Sequence, residues 1–374
     1  MSLAWLDWSD LVSIGNEMAG AGGALRLRDL LADLFELHDV TVTKSGATIL
    51  RGRLLCPSTE AYRLAADRLR PLSCTPVFRR EGQDDVIQVL PYLLSRKPAR
   101  GWIGPLLFGL TVLSVLFAGA IDSGWDMSNL AGVAMGIPFA ATLLAILGAH
   151  ELGHYVVARH YGVPRSLPYF IPMPISPFGT MGAVIRLDAP PTNRRVLLAI
   201  AAAGPLSGLV VALPLLVLGL HLSVVGPVLT AGGVQEGNSL LYAALKFLVF
   251  GRWLPGGGLD VLLHPVAFAA WSGLLVTALN LIPAGQLDGG HILYVLVGER
   301  ARYVTYGLVA ILAVLGALVY EGWLMWAVII LFLGRAFATP LDSITPLKGK
   351  HVALAVFMLL VFVLIFTPAP LRLV

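Results

Sequence analysis

The chain has 374 residues, of which 57% are hydrophobic and only 13% charged, with a mean hydropathy of +0.80. Soluble domains carry about 25% charged residues, so this composition excludes an ordinary soluble protein, a disordered chain and a nucleic-acid binder. The net charge of +4 fits a Lys/Arg excess in the cytoplasmic loops of a membrane protein. Two cysteines, Cys56 and Cys74, exclude a disulfide scaffold and a cysteine-based zinc finger.

Charge divides the chain near Gly101. Residues 1–100 hold 13 Lys/Arg and 12 Asp/Glu, whereas residues 101–374 hold 13 and 10 over a far longer stretch. The first part has soluble composition and the rest reads as membrane. The start meets Asp7 and Asp10 before any long apolar run, which argues against a secretory signal peptide. No transit peptide is evident either, which favours a bacterial host.

Residues 1–100 are expected to form a small α/β domain in the order α-β-β-α-β-β. A helix is predicted over 24–37. Residues 40–43 and 48–55 are β-rich and flank Lys44-Ser45-Gly46-Ala47, a hairpin signature. In 58–69, Ala61, Leu64, Ala65 and Leu69 have helical spacing, with Pro57 and Ser58 as the start signal. Residues 75–80 and 85–90 are expected to pair around Glu81-Gly82-Gln83-Asp84. Cys56 and Cys74 flank the second helix and read as small packing residues in a reducing compartment.

A membrane span needs about 20 apolar residues. Residues 102–121, 127–149, 196–220, 265–282 and 303–320 qualify, and 322–334 and 351–366 are shorter candidates, the first requiring Arg335 to snorkel. The count is about six to seven. Arg96, Lys97 and Arg100, Arg159, Arg165, Arg194 and Arg195, Arg300 and Arg302, and Arg335, Lys348 and Lys350 fall on the side of the soluble part. Asp122, Asp126, Glu236, Asp260 and Glu321 fall opposite, with only Lys246, Arg252 and Arg372. The positive-inside rule therefore places residues 1–100 in the cytoplasm. Residues 163–191 hold seven prolines and the β-rich run Gly182-Ala183-Val184-Ile185-Arg186-Leu187. They are too apolar for a solvated loop, and a re-entrant hairpin is expected. Residues 239–250, apolar with one lysine, are expected to lie as a short helix at the outer interface.

His150-Glu151-Leu152-Gly153-His154 follows the second candidate span directly. Histidines at i and i+4 share a helix face and can reach one Zn²⁺ together. The intervening Glu151 is placed to act as general base on water activated by the metal. Catalytic zinc wants a third protein ligand and an open position. Among the few remaining acids, Asp288 lies at the cytoplasmic end of the fourth span, the same depth as the histidines. It reads equally as the N-cap of a helix over 289–297, and the two roles are compatible. Gly204 and Gly208 read as a small-xxx-small packing pair. His291 reads as a solvated helix start or a partner of Asp288; His160, His221, His264 and His351 read as exposed or interfacial.

The sequence resembles the site-2 protease family of zinc intramembrane metalloproteases. The matching pieces are Gly148-Ala149-His150-Glu151-Leu152-Gly153-His154, Gly204-Pro205-Leu206-Ser207-Gly208, and the run from Asn280 to Gly290, within about residues 101–300. The Gln286-Leu287-Asp288-Gly289-Gly290 form is similar to a subgroup with bacterial and plant chloroplast members. The resemblance implies a three-helix core within about 127–298, one zinc ion held by His150, His154 and Asp288, and a re-entrant β-hairpin. It implies a substrate-side role for Asn280; the β-rich run at Gly182, Ala183 and Val184 is placed to hold an unwound substrate stretch by strand addition. Its substrates would be single-span membrane proteins cleaved within the bilayer. About forty residues separate the third and fourth spans, with no recognisable PDZ insert, so the N-terminal domain is the candidate regulator. A metal transporter and an inactive helix-binding scaffold are the rival readings. Repeated halves with broken helices would mark the first, and a lost base the second; neither is found. The sequence assigns no oligomeric state.

Overall fold

The computed structural model describes residues 21–94, 101–127, 129–228, 234–334 and 337–373. Arg96, Lys97, Arg100, Arg335 and the first twenty residues, on which some of the expectations above rest, lie outside them. The chain divides into two compact units.

The first unit contains the helix Ala21–Leu31 (α1), the strands Phe35–Val42 (β1) and Thr48–Leu54 (β2), the helix Ser58–Leu69 (α2), and the strands Thr75–Glu81 (β3) and Asp84–Leu90 (β4). The expected element order holds. The sheet is antiparallel in the order β1-β2-β4-β3. Ser58, Ala61, Tyr62, Ala65 and Leu69 form the buried stripe of α2, the helical period at which apolar residues share a face. They meet Leu31, Leu50, Phe78 and Ile87 in one core. The helix predicted over 24–37 stops six residues early. Leu30, Leu31, Leu34 and Leu37 imitate a helical stripe, but Leu34 closes a turn onto Leu31 and Phe35 pairs with Leu54 in the sheet. Both thiols are free, and burial pushes each of them up from the usual range, which suits packing rather than reactivity.

Two distant stretches complete this unit, Asp188–Leu197 and Ala338–Lys348. The Phe78 amide donates to Leu341 O at 2.8 Å, and Ser343 N donates to Phe78 O at 3.1 Å. Residues 341–343 thereby cap the β3 edge. Leu341 N donates to Pro191 O at 3.0 Å and Asp342 N to Thr192 O at 2.7 Å. The Asp342 carboxylate is buried and accepts from Ser58 Oγ, Thr345 Oγ1 and the amides of Ile344 and Thr345. Arg195 donates to Pro346 O through Nε and Nη2. The expectation of a soluble part ending near residue 100 missed these stretches, because loop sequences carry no mark of a partner hundreds of residues away.

The second unit is a helical membrane domain. Among the described residues, four apolar stretches are long enough to cross a bilayer: Ile103–Asp122 (α3), Leu130–His160, Arg194–Leu222 (α5), which begins within the first unit, and Asp288–Leu318. In the second stretch a 3₁₀ segment, Leu130–Gly136, leads into the helix Ile137–His160 (α4). The fourth comprises Asp288–Val297 (α8) and Ala301–Leu318 (α9). Shorter apolar helices are Leu240–Phe250 (α6), Pro265–Asn280 (α7), Gly322–Leu333 (α10) and Gly349–Ile365 (α11). Between α4 and α5, Tyr169–Pro172 (β5) and Thr180–Val184 (β6) form an antiparallel hairpin. The β-rich run predicted to start at Gly182 thus begins two residues earlier and ends at Val184.

The His150 motif does not close its helix, as the charge pattern suggested; α4 runs on to His160. Its stop is Gly162, at φ +67°, where Gly162 N bonds Arg159 O and Val163 N bonds Ala158 O. This paired closure needs a residue at ease in the left-handed region. A second difference lies near α6. Glu236, Lys246 and Asp260 do not face outward water. Lys246 is fully buried, 3.2 Å from Asp260 Oδ1 and 3.4 Å from Glu236 Oε1.

Candidate active site

Helix α4 supplies three adjacent parts of the site. His150, Glu151 and His154 are buried within one turn. Their Nε2 atoms, His150 and His154, lie 3.2 Å apart. Asp288 arrives from the first turn of α8, its Oδ2 standing 3.3 Å from His150 Nε2 and 3.2 Å from His154 Nε2. Among the described residues this is the one group of three such side chains able to hold a metal. Three ligands at 2.0–2.1 Å on a tetrahedral ion stand about 3.3 Å apart, so the triangle already has the size a single ion requires. Glu151 Oε2 is enclosed without a partner among the described residues, an orphan of the kind a metal-activated water would satisfy.

The backbone around Asp288 explains its sequence. After α7 ends at Asn280 the chain turns through Gly285, at φ +53°. A Cβ at Gly289 would overlap Leu281 O, and one at Gly290 would overlap Gly285 O. The Asp-Gly-Gly form is what lets α8 start hard against the turn before it. Leu287, not Asp288, occupies the N-cap position. The capping role is therefore set aside, and the carboxylate faces the histidines.

His154 is held from behind. Its Nδ1 is 2.7 Å from Ile200 O on α5. A carbonyl accepts only, so Nδ1 carries the proton and Nε2 is left as the ligand atom. No residue letter advertises a backbone oxygen, and nothing in the sequence points to Ile200. Asn280 comes to the same place: its Nδ2 is 3.5 Å from His150 Nε2. His291 is not a solvated helix start, for its Nδ1 is enclosed and without a partner among the described residues. Gly182, Ala183 and Val184 lie on β6, which packs on α4, and Gly182 sits beside Val276 of α7. His160 and His221 are exposed, while His264 caps α7 by accepting from Val266 N.

The model of peptidase family M50 matches residues 138–319, a stretch that contains His150, Glu151, His154, Asn280 and Asp288. The chain belongs to peptidase family M50. It is similar to the probable zinc metalloprotease EGY2, chloroplastic, of Arabidopsis thaliana, at 34% identity over 281 residues, which is 72% of this chain and 49% of that protein. The EGY2 protein of Oryza sativa subsp. japonica is 32% identical over 278 residues, covering 72% and 50%. The probable zinc metalloprotease EGY1, chloroplastic, of Arabidopsis thaliana is 32% identical over 239 residues, covering 62% and 43%. The chain spans about half the length of these M50 relatives. No solved structure matches it.

Proposed function

We propose that this M50 protein is a zinc metalloprotease that cleaves peptide bonds within or beside the transmembrane helices of single-span membrane proteins. One observation carries the reading: two histidines with a buried glutamate between them, inside an apolar helical stretch of 31 residues, and an aspartate from another such stretch at metal-binding distance from both. An ionisable group at such depth is costly and is a functional candidate by default.

Zinc, when bound, supplies a Lewis acid that acidifies water and polarises the scissile carbonyl. His150, His154 and Asp288 would hold the ion. Glu151 takes a proton from the attacking water as its oxygen bonds to the carbonyl carbon. It returns that proton to the amide nitrogen as the carbon–nitrogen bond breaks. Asn280 lies on the substrate side of His150. A helical substrate hides its peptide bonds, so it must unwind locally, and the β6 edge at Gly182, Ala183 and Val184 receives the extended stretch by strand addition.

In this reading α4, α5 and α7 form the catalytic core, β5 and β6 dip into the bilayer from one face, and about six to seven segments span it. The first unit is cytoplasmic and the host membrane a bacterial cytoplasmic membrane. Support for a shared side comes from Arg194, Arg195 and Lys348, inside-type charges that belong to the first unit. The test is reconstitution of the full chain with zinc and a membrane-anchored reporter. Glu151→Gln is expected to lower cleavage by at least about 100-fold while zinc stays bound; cleavage at the normal rate would overturn the assignment.

A further inference from the structure

Helix α5 touches the two metal histidines at three points, and each contact falls on a different atom. Ile200 O accepts from His154 Nδ1. A Cβ built on Gly204 would overlap the His154 ring, and its nearest atom would be Nε2, the ligand nitrogen. One turn on, a Cβ on Gly208 would meet His150 at Cβ, 3.3 Å away, and at Nδ1, 3.4 Å away. The opposite face of this crossing is Gly153, whose Cβ would overlap Ser207 Oγ and crowd Ala203 O at 2.5 Å. Ser207 Oγ itself turns back to donate to Ala203 O and Gly204 O. Pro205 carries no N–H, so Ala201 O lacks its usual helical donor at this turn.

From these contacts we infer that Ile200 and Gly204 are positioning residues for zinc: together they form a backbone seat that fixes the ring plane and tautomer of His154. The bare Cα of Gly204 supports the flat of the imidazole at its ligand edge. The Ile200 carbonyl, one turn earlier, anchors the far nitrogen of the same ring. Ring orientation is thereby set by main-chain atoms on two sides, with no flexible side chain in the chain of support. Gly208 is not part of the seat. It lies against the stem of His150, where a few tenths of an ångström of adjustment suffice. The two glycines of one small-xxx-small pair therefore have different jobs, which a lipid-type helix contact would not give them.

The inference rests on the metal reading of His150, His154 and Asp288, and its test separates the two. The full chain in detergent is titrated with Co²⁺ alone, whose visible absorption reports tetrahedral ligation. Wild type is expected to give the tetrahedral spectrum; its failure to do so would overturn the metal site itself. Gly204→Ala is expected to weaken Co²⁺ binding about 10–100-fold, the usual range for groups that orient a ligating histidine. Gly208→Ala is expected to stay within a few-fold of wild type, and Gly109→Ala, which points into open space on α3, is expected to match it. Equal Co²⁺ affinity in Gly204→Ala and wild type would overturn the seat alone. Should Gly204→Ala fail to fold, thermal stability is compared on a His154→Ala background without metal. There the ring is gone, and Gly204→Ala is expected to be tolerated; an undiminished loss of stability would assign the glycine to general helix packing and overturn the proposal.

Discussion

A one-atom change at Asp288 separates its charge from its shape at the start of α8. Asparagine caps a helix as well as aspartate does, but it brings no negative charge to a metal. Asp288→Asn is therefore expected to lower zinc affinity by at least about 100-fold, more than the loss of an orienting group costs. Competition with a chelating dye measures it, and an unchanged affinity would remove Asp288 from the ligand set. The residues of this site differ in how plainly the sequence showed them. His150, Glu151 and His154 were legible because an i, i+4 spacing converts directly into a shared helix face. Asp288 was legible only through its depth in the membrane and the resemblance of its surroundings. Ile200 was not legible at all, since it acts through its carbonyl and any residue has one.

Elements were read well where a period and a boundary signal agreed. In α2 the apolar spacing and Pro57 point the same way, and the observed helix Ser58–Leu69 has the expected bounds. In 24–37 the two signals conflict, and pairing of Phe35 with β2 decides in favour of strand. Helix α6 shows a different limit. Its single lysine looked like the polar mark of an interfacial helix, yet Lys246 is enclosed between Glu236 and Asp260. Tyr242 Oη donates to Glu236 Oε1 at 3.0 Å and Gln235 Nε2 to Asp260 Oδ2 at 2.8 Å. The cluster ties α6 to the segments Val234–Glu236 and Leu259–Leu262, which a composition count treats as unrelated loops. Removing one member of a buried ion cluster strands the others. Lys246→Met is expected to destabilise the chain by about 3–5 kcal/mol, read by thermal unfolding in detergent. Adding Glu236→Gln and Asp260→Asn is expected to recover most of it, and no recovery would refute an electrostatic cause.

At the scale of the molecule, the most informative residue is Asp342, which joins stretches far apart in the chain: Ser58 Oγ donates to it across 284 residues. Asp342→Ala leaves two backbone amides and two hydroxyls without their acceptor, at a cost of about 2–4 kcal/mol. The loss is expected to be local. Hydrogen exchange should quicken at the amides of Phe78, Ile344 and Thr345, while the helices of the second unit keep their protection; unchanged exchange at Phe78 would show that the cap on β3 holds without the carboxylate. The overall class, a helical membrane protein with a small α/β unit before its helices, followed from charge density and apolar run lengths. The weaving of Asp188–Leu197 and Ala338–Lys348 into the first unit did not, because their polar and proline-rich letters are those of any connecting loop.

That weaving sets a calendar for the molecule. Strand β3 is translated early, yet its outer edge gains a partner only after residues 341–343 leave the ribosome, behind nearly all the apolar helices. An uncovered strand edge invites pairing with other chains, so the nascent protein carries an open seam until that stretch is made. The seam shuts when the stretch ahead of α11 arrives. Completion of the small sheet is thus a record, written in the first hundred residues, that synthesis has passed the helices from α3 to α10.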